Sequence, residues 1–305
     1  MFQQHLGEFA ALLTACFWTV TSLVFEAAGK RIGSLTVNII RLYLAFFYYC
    51  VFLFFTRGLI FPTDATPEAW FWLSLSGLVG FVIGDQLLFQ AFVVVGARIS
   101  MLIMAIVPPM TALIGWVILG ETLTLLSILG MVMTISGIVL VVLKREAPQL
   151  NGNGRNKLKF NYPLTGILLA LGGAAGQATG LVLSKFGIKD YNPFAASQIR
   201  VLAGLIGFTI LFFILGKWKD VAKGLKHKSG MMFTGIGSVF GPFLGVAFSL
   251  TAIQYTNTGV VATIMSIVPV LIIPPAIFIF KEKVNLKEIL GAVLAVGGVA
   301  LLFLS

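Results

Sequence analysis

Charge is what this sequence has least of. Asp, Glu, Lys and Arg make up 10% of its 305 residues, whereas soluble domains carry about 25%. So little charge cannot coat a water-soluble globule when 58% of the residues are apolar and the mean hydropathy is +1.01. The chain reads as a polytopic membrane protein.

Other scarcities narrow the chemistry. There are two histidines, His5 and His227, and two cysteines, Cys16 and Cys50. They form no metal-ligand spacing, and no H-E-x-x-H or P-loop occurs. Both cysteines lie in apolar stretches, which predicts buried thiols rather than a disulfide framework. An intramembrane enzyme usually needs paired acids or a zinc site, and only Asp85 lies deep in an apolar segment. No catalytic residue, metal or cofactor is expected, and the chain is read as a non-enzyme. The net charge of +10 does not imply nucleic acid, because the basic residues sit between apolar segments and so report membrane topology.

What is present is a pattern written twice. Ile106-Val107-Pro108, Glu121, Gly130 and Gly137 recur at the same spacings as Ile267-Val268-Pro269, Glu282, Gly291 and Gly298. Gly80 and Gly84 answer Gly241 and Gly245 in that register. With a two-residue slip, Gly7 pairs with Gly166 and Ile40-Arg41 with Ile199-Arg200. The chain is an internal duplication.

A membrane-crossing helix needs about 20 apolar residues. Such stretches fall at 8–27, 36–56, 70–93, 99–119, 124–143, 163–184, 194–216, 230–254, 257–280 and 284–304. The first follows Met1–Glu8, which has no Lys or Arg, so it is expected to be retained as a span. The expected fold is an all-α polytopic membrane protein with ten transmembrane helices. An N-terminal five-helix repeat (1–146) joins a C-terminal one (163–305) through a basic Gly/Asn linker (147–162). An odd number of crossings ends on the opposite face, so the second copy should be inverted. Inverted repeats are a recurring construction of secondary transporters.

Basic residues agree. Outside the spans, the face holding the linker carries 16 Lys and Arg and the other face only Arg57, Lys185 and Lys189. By the positive-inside rule both termini lie outside. Between the seventh and eighth spans, Trp218, Val221, Ala222 and Leu225 share a helical face between lysines. This predicts either an amphipathic segment lying on anionic lipid or a plain solvated basic loop.

Asp85, followed by Gln86 and Gln90, is the principal candidate site residue. A charge at that depth costs a few kcal/mol and must face a cavity or a partner. It is a proton- or cation-responsive group beside the substrate, half of a structural pair with Arg41, or a neutral, hydrogen-bonded carboxyl; its counterpart in the second copy is Val246. Arg41 and Arg200, with Asn38 and Ser197 three residues earlier, either bind anionic groups and close gates or snorkel to headgroups. Pro108, Pro109 and Pro269 remove backbone hydrogen bonds near the middles of the fourth and ninth spans. Kinked hinges at matching places point to the binding region, with carbonyls freed at Met104, Ala105 and Met265. Trp18 with Thr14, Thr21 and Ser22, Gln177 with Ser184, and Tyr43 form polar stripes expected to face the interior. Glu121 and Glu282 are read as structural, each accepting N–H bonds at the start of the next helix. Gly172, Gly173, Gly176 and Gly180 are read as close-packing positions.

The proline-bearing fourth helix, Leu119-Gly120-Glu121, the glycine-spaced fifth helix, Gly84-Asp85 and Gly96-Ala97-Arg98 resemble the EamA type of the drug/metabolite transporter superfamily. The resemblance covers nearly the whole chain, although the second copy has Phe280-Lys281-Glu282 in place of L-G-E. It implies a ten-helix bundle around a central cavity, and transport of amino acids or other metabolites, often coupled to protons or by exchange. The function expected is secondary transport of small polar or amphipathic metabolites, outward, by alternating access. The partners expected are a small-molecule substrate, the lipid bilayer and protons, with no nucleic acid, in a monomer or homodimer. The membrane expected is a bacterial or archaeal cell membrane. An intramembrane lipid-modifying enzyme or lipid flippase is the competing reading.

Overall fold

The computed structural model describes residues 5–119, 123–145, 158–256, 261, 264–279 and 281–303. Helices α1 (Leu6–Ile32), α2 (Ser34–Arg57) and α3 (Pro67–Val95) are followed by α4 (Ala97–Met104), α5 (Val107–Leu119) and α6 (Leu125–Val142). A short ribbon, β1 (Leu143–Arg145) and β2 (Leu158–Phe160), leads to α7 (Leu164–Ile188) and α8 (Pro193–Leu215). Then come α9 (Trp218–Lys226), α10 (Lys228–Tyr255), α11 (Val268–Leu271), α12 (Ile273–Phe278) and α13 (Leu286–Phe303). Among the described residues, eight helices are long and apolar enough to cross a membrane. In the stretch expected at 257–280, the described residues from Val268 to Phe278 form two short helices, since Pro269, Pro274 and Pro275 interrupt the hydrogen bonding. The protein is therefore a multi-pass, essentially helical membrane protein.

The burial pattern is that of a bundle in lipid. Polar side chains such as Asn38, Ser197 and Gln198 are fully buried, while Phe55, Phe278 and Ile214 are largely exposed. Lipid tails are as apolar as Leu, so helices associate through close packing and interhelical hydrogen bonds. Glycine supplies the first. A Cβ on Gly130 would stand 2.6 Å from the Gly298 carbonyl oxygen, and one on Gly137 would stand 2.6 Å from that of Gly291. The register shows α6 and α13 running antiparallel. Gly84 against Gly176 and Gly80 against Gly180 set α3 antiparallel to α7 in the same way. Gly237 against Phe25, Gly241 against Thr21 and Gly245 against Trp18 do so for α1 and α10.

Several details depart from the sequence expectations. The middles of α3 (Leu78–Asp85) and α10 (Val239–Gly245) are wound as π-helix. The ends of the linker pair antiparallel, Leu143 opposite Phe160, giving a strand ribbon in a chain read as all-α; residues 146–157 lie outside the described part. Cys16 is exposed and Cys50 half-buried, so the expected buried thiols are not in the core. They occupy outward positions on otherwise apolar helices. The basic amphipathic segment is the helix α9, whose Gly224 packs against Thr36 and Ile32 while Trp218 stacks near Phe212.

Candidate functional site

Asp85 ends the π-helical turn of α3 and faces inward, 5% exposed. Arg41 of α2 forms an ion pair with one carboxylate oxygen, and Gln177 Nε2 of α7 donates to the other. Arg41 Nε also donates to Asn38 Oδ1 at 2.8 Å, and its guanidinium lies 4.3 Å from the centre of the Phe89 ring. A buried charge is tolerated when paired and hydrogen-bonded, and both members of this pair are. Arg41 and Arg200, at 3% and 6% exposure, do not snorkel.

Beside this pair is a cavity of about 390 Å³. It collects Trp18, Arg41, Asp85, Gln177 and Arg200, and also Pro108 and Pro269. The prolines act as their chemistry dictates: the α4–α5 break falls at Ala105-Ile106 and the matching one at Ser266-Ile267. Met104, Ala105 and Met265, whose carbonyls lose a partner to Pro108, Pro109 and Pro269, all line the same space. Pro109 is buried but does not reach it.

Three expected site residues stand elsewhere. Gln86 and Gln90 border a separate recess near Arg31 and His227. Ser34 Oγ donates to Gln90 Oε1 at 2.6 Å, and Asn38 Nδ2 donates to Gln86 Oε1 at 3.0 Å, so both glutamines fasten α3 to α2. Tyr43 is 47% exposed, its hydroxyl 3.3 Å from Thr209 Oγ1. Two residues beyond Arg41 on a helix, it points about 200° away.

Other contributors were not evident from sequence. Phe25, Phe89, Phe92 and Met101, all buried, line the cavity toward the face that carries the linker. Just beyond them, Arg98 at the start of α4 meets Glu288 and, at 3.1 Å, Glu282. Tyr162 donates to Glu288 at 2.7 Å, and burial pushes its phenol upward against the nearby Arg98. Glu282 thus takes a side-chain partner from the other half rather than the expected backbone N–H groups. The next helix is capped instead by Asn285 and Glu288, whose carboxylate accepts the Asn285 N–H at 3.3 Å. Glu121 lies outside the described residues. Glu26, 7% exposed, accepts the Ala97 N–H at 2.6 Å and pairs with Lys30. On the opposite face Asp64 is held below the usual carboxylate range. Partial burial opposes this, but hydrogen bonds from Tyr191 and Arg57 outweigh it.

The sequence matches the EamA-like transporter family twice, over residues 5–143 and 164–304. The chain belongs to that family. This EamA-like chain is 26% identical over 268 residues to human solute carrier family 35 member G1, covering 84% of this chain and 67% of the human protein. It is 22% identical over 190 residues to the uncharacterized membrane protein YMR253C of Saccharomyces cerevisiae, covering 60% of this chain and 46% of the yeast one. The chain thus spans about two thirds of one curated relative and less than half of the other. A solved crystal structure matches with a TM-score of 0.62 at 15% identity, covering 97% of this chain and 95% of its own; that likeness speaks for the fold alone. Both curated relatives are eukaryotic, so they lend nothing to the expectation of a bacterial or archaeal membrane. Membership makes this EamA-like protein a membrane transporter of small molecules.

Proposed function

We propose that the chain is a secondary transporter of small polar or amphipathic metabolites, working by alternating access. In this reading it has ten membrane helices in two inverted five-helix repeats, residues 1–146 and 163–305, joined by the 147–162 linker. One observation carries it. A cavity lies between the halves and is lined by helices broken at equivalent prolines, Pro108 and Pro269. Broken helices at matching places in two halves are where transporters of inverted construction hold substrate. The antiparallel pairing of α6 with α13 supports the inversion, because the duplication makes these two helices equivalent.

The phenylalanine floor and the Arg98–Glu282–Glu288 cluster supply closure at the linker face, and Pro108, Pro109 and Pro269 are the hinges. At the other end the lining continues to Lys185 and Ile253. Arg98→Gln in a background without Cys16 and Cys50 is expected to speed labelling of Met101→Cys from the linker face several-fold. An unchanged rate removes the cluster from the closure.

Transport itself is tested with purified protein in liposomes preloaded with members of a metabolite panel. Saturable counterflow is expected, and a flux that is linear in concentration would point to a passive pore. Asp85 is the proposed coupling group, so Asp85→Asn should abolish any dependence on a pH gradient; unchanged dependence takes that role away. Export is the proposed direction. The paired acids that a lipid-modifying enzyme would need are not brought together here: among the described residues that line the cavity, Asp85 is the one acid.

A further inference from the structure

The two halves of the cavity carry the same scaffold with different chemistry. The register that pairs Arg41 with Arg200 also pairs Trp18 with Gln177, and the register of the glycine pairs sets Asp85 against Val246. Around Arg41, therefore, stand an acid and an amide. Val246 and Trp18 are their counterparts in the half that carries Arg200, and all six residues line the cavity.

The consequence is a buried guanidinium without a bonded acceptor. Arg200 is 6% exposed, its buried Nε has no hydrogen-bond partner, and among the described residues no carboxylate forms an ion pair with it; Asp85 attracts it only through space. The Phe81 ring lies 5.3 Å from the guanidinium carbon. Both oxygens of Asp85 are taken by Arg41 and Gln177. Among the described residues Lys185, which also lines the cavity, has no ion pair, and the buried Thr111 Oγ1 has no hydrogen-bond partner. Of the cavity's cations Arg41, Arg200 and Lys185, only Arg41 forms an ion pair among the described residues. Leaving a guanidinium buried without an acceptor is costly, and the cost is recovered when an oxyanion arrives.

We propose that the Arg200 half of the cavity holds the oxyanion of an organic-anion substrate, a carboxylate or a phosphate monoester on an apolar body. Guanidinium takes either group through paired N–H bonds. The apolar body lies against Trp18, Val246 and the ring floor, and Thr111 supplies a further donor. This inference rests on the transporter reading of the cavity and adds the charge of its cargo.

The probes are benzoate, hexanoate and phenyl phosphate, with benzamide and benzylamine as controls of matched shape. Detergent-purified protein is expected to melt at a higher temperature with at least one anion and to be unmoved by the amide and the amine. Arg200→Gln should weaken anion binding about ten- to a hundredfold. It should not lower the melting temperature of the unliganded protein, whereas Arg41→Gln should. Val246→Asp, which gives Arg200 the acid its counterpart already has, should also abolish anion binding while keeping the fold. Anion binding that survives both substitutions overturns the proposal, as does stabilisation by the amide or amine alone, or by no probe. Counterflow separates the two readings. Anions that bind without counterflow contradict transport and leave the site standing, whereas counterflow of neutral or cationic solutes alone contradicts the site and leaves transport standing.

Discussion

Asp85→Ala is expected to destabilise the protein by about 3–5 kcal/mol, the usual cost of removing one partner from a buried ion pair. The loss comes less from the vanished attraction than from what is left behind. Arg41, with a side chain 4% exposed, would keep only Asn38 as an acceptor, and Gln177 would lose its own. The surrounding rings of Phe25, Phe81 and Phe89 offer the cation partial compensation only. The double substitution Arg41→Met with Asp85→Leu should regain most of the loss, since replacing both members by apolar groups is often nearly neutral. Melting curves in one detergent for the two singles and the double complete the cycle. Additive effects would mean that the pair is not the coupled unit described here.

Gly298→Val should be comparably severe, for a steric reason. The first added carbon would stand 2.4 Å from Thr134 N, 2.5 Å from Thr134 Oγ1 and 2.6 Å from the Gly130 carbonyl oxygen. Two of those three atoms are backbone, so no rotamer change relieves the clash and α6 must move away from α13. Overpacking costs about 1–3 kcal/mol where side chains can adjust, and occasionally more; here the upper end or beyond is expected. The Thr134-to-Ala295 and Ser127-to-Leu302 hydrogen bonds, at 3.2 and 3.4 Å, would be lost with it. Gly235→Ala is the control, because a methyl there meets nothing within 4 Å. It should be stabilising by about 0.4–1 kcal/mol, through a less flexible unfolded chain. Size-exclusion profiles after heating distinguish the two, and a Gly298→Val protein as heat-resistant as the parent would contradict the packing.

How much of this was legible beforehand depended on which force set each feature. The apolar spans and the glycine repeats follow from the lack of any other way to satisfy backbone groups and pack helices in lipid. The prolines marked the breaks beside the cavity because a missing N–H acts locally. What stayed hidden was tertiary. The Asp85–Arg41 pair is among the readings the sequence allows, but only three-dimensional register shows that Gln177 takes the other Asp85 oxygen, or that Gln86 and Gln90 turn toward Ser34 and Asn38. Arg98 and Glu282 looked like a topology charge and a helix cap, yet 184 residues of separation close into an ion pair. Tyr43 shows the limit of reading a stripe from composition, for one residue's angular position decided whether it faced cavity or lipid. The π-helical turns carried only the glycine pairs and, in α10, Pro242 as sequence signals.

Alternating access to the cavity requires the two copies to lie upside down to each other. Single cysteines introduced as Gln3→Cys and Asn153→Cys, in a protein lacking Cys16 and Cys50, can be labelled with a membrane-impermeant maleimide in sealed vesicles of known orientation. Reaction of the chain end and the linker from opposite sides of the bilayer is the predicted result, with the linker on the cytoplasmic side. Reaction of both from one side would make the copies parallel and leave the shared cavity without its alternating mechanism.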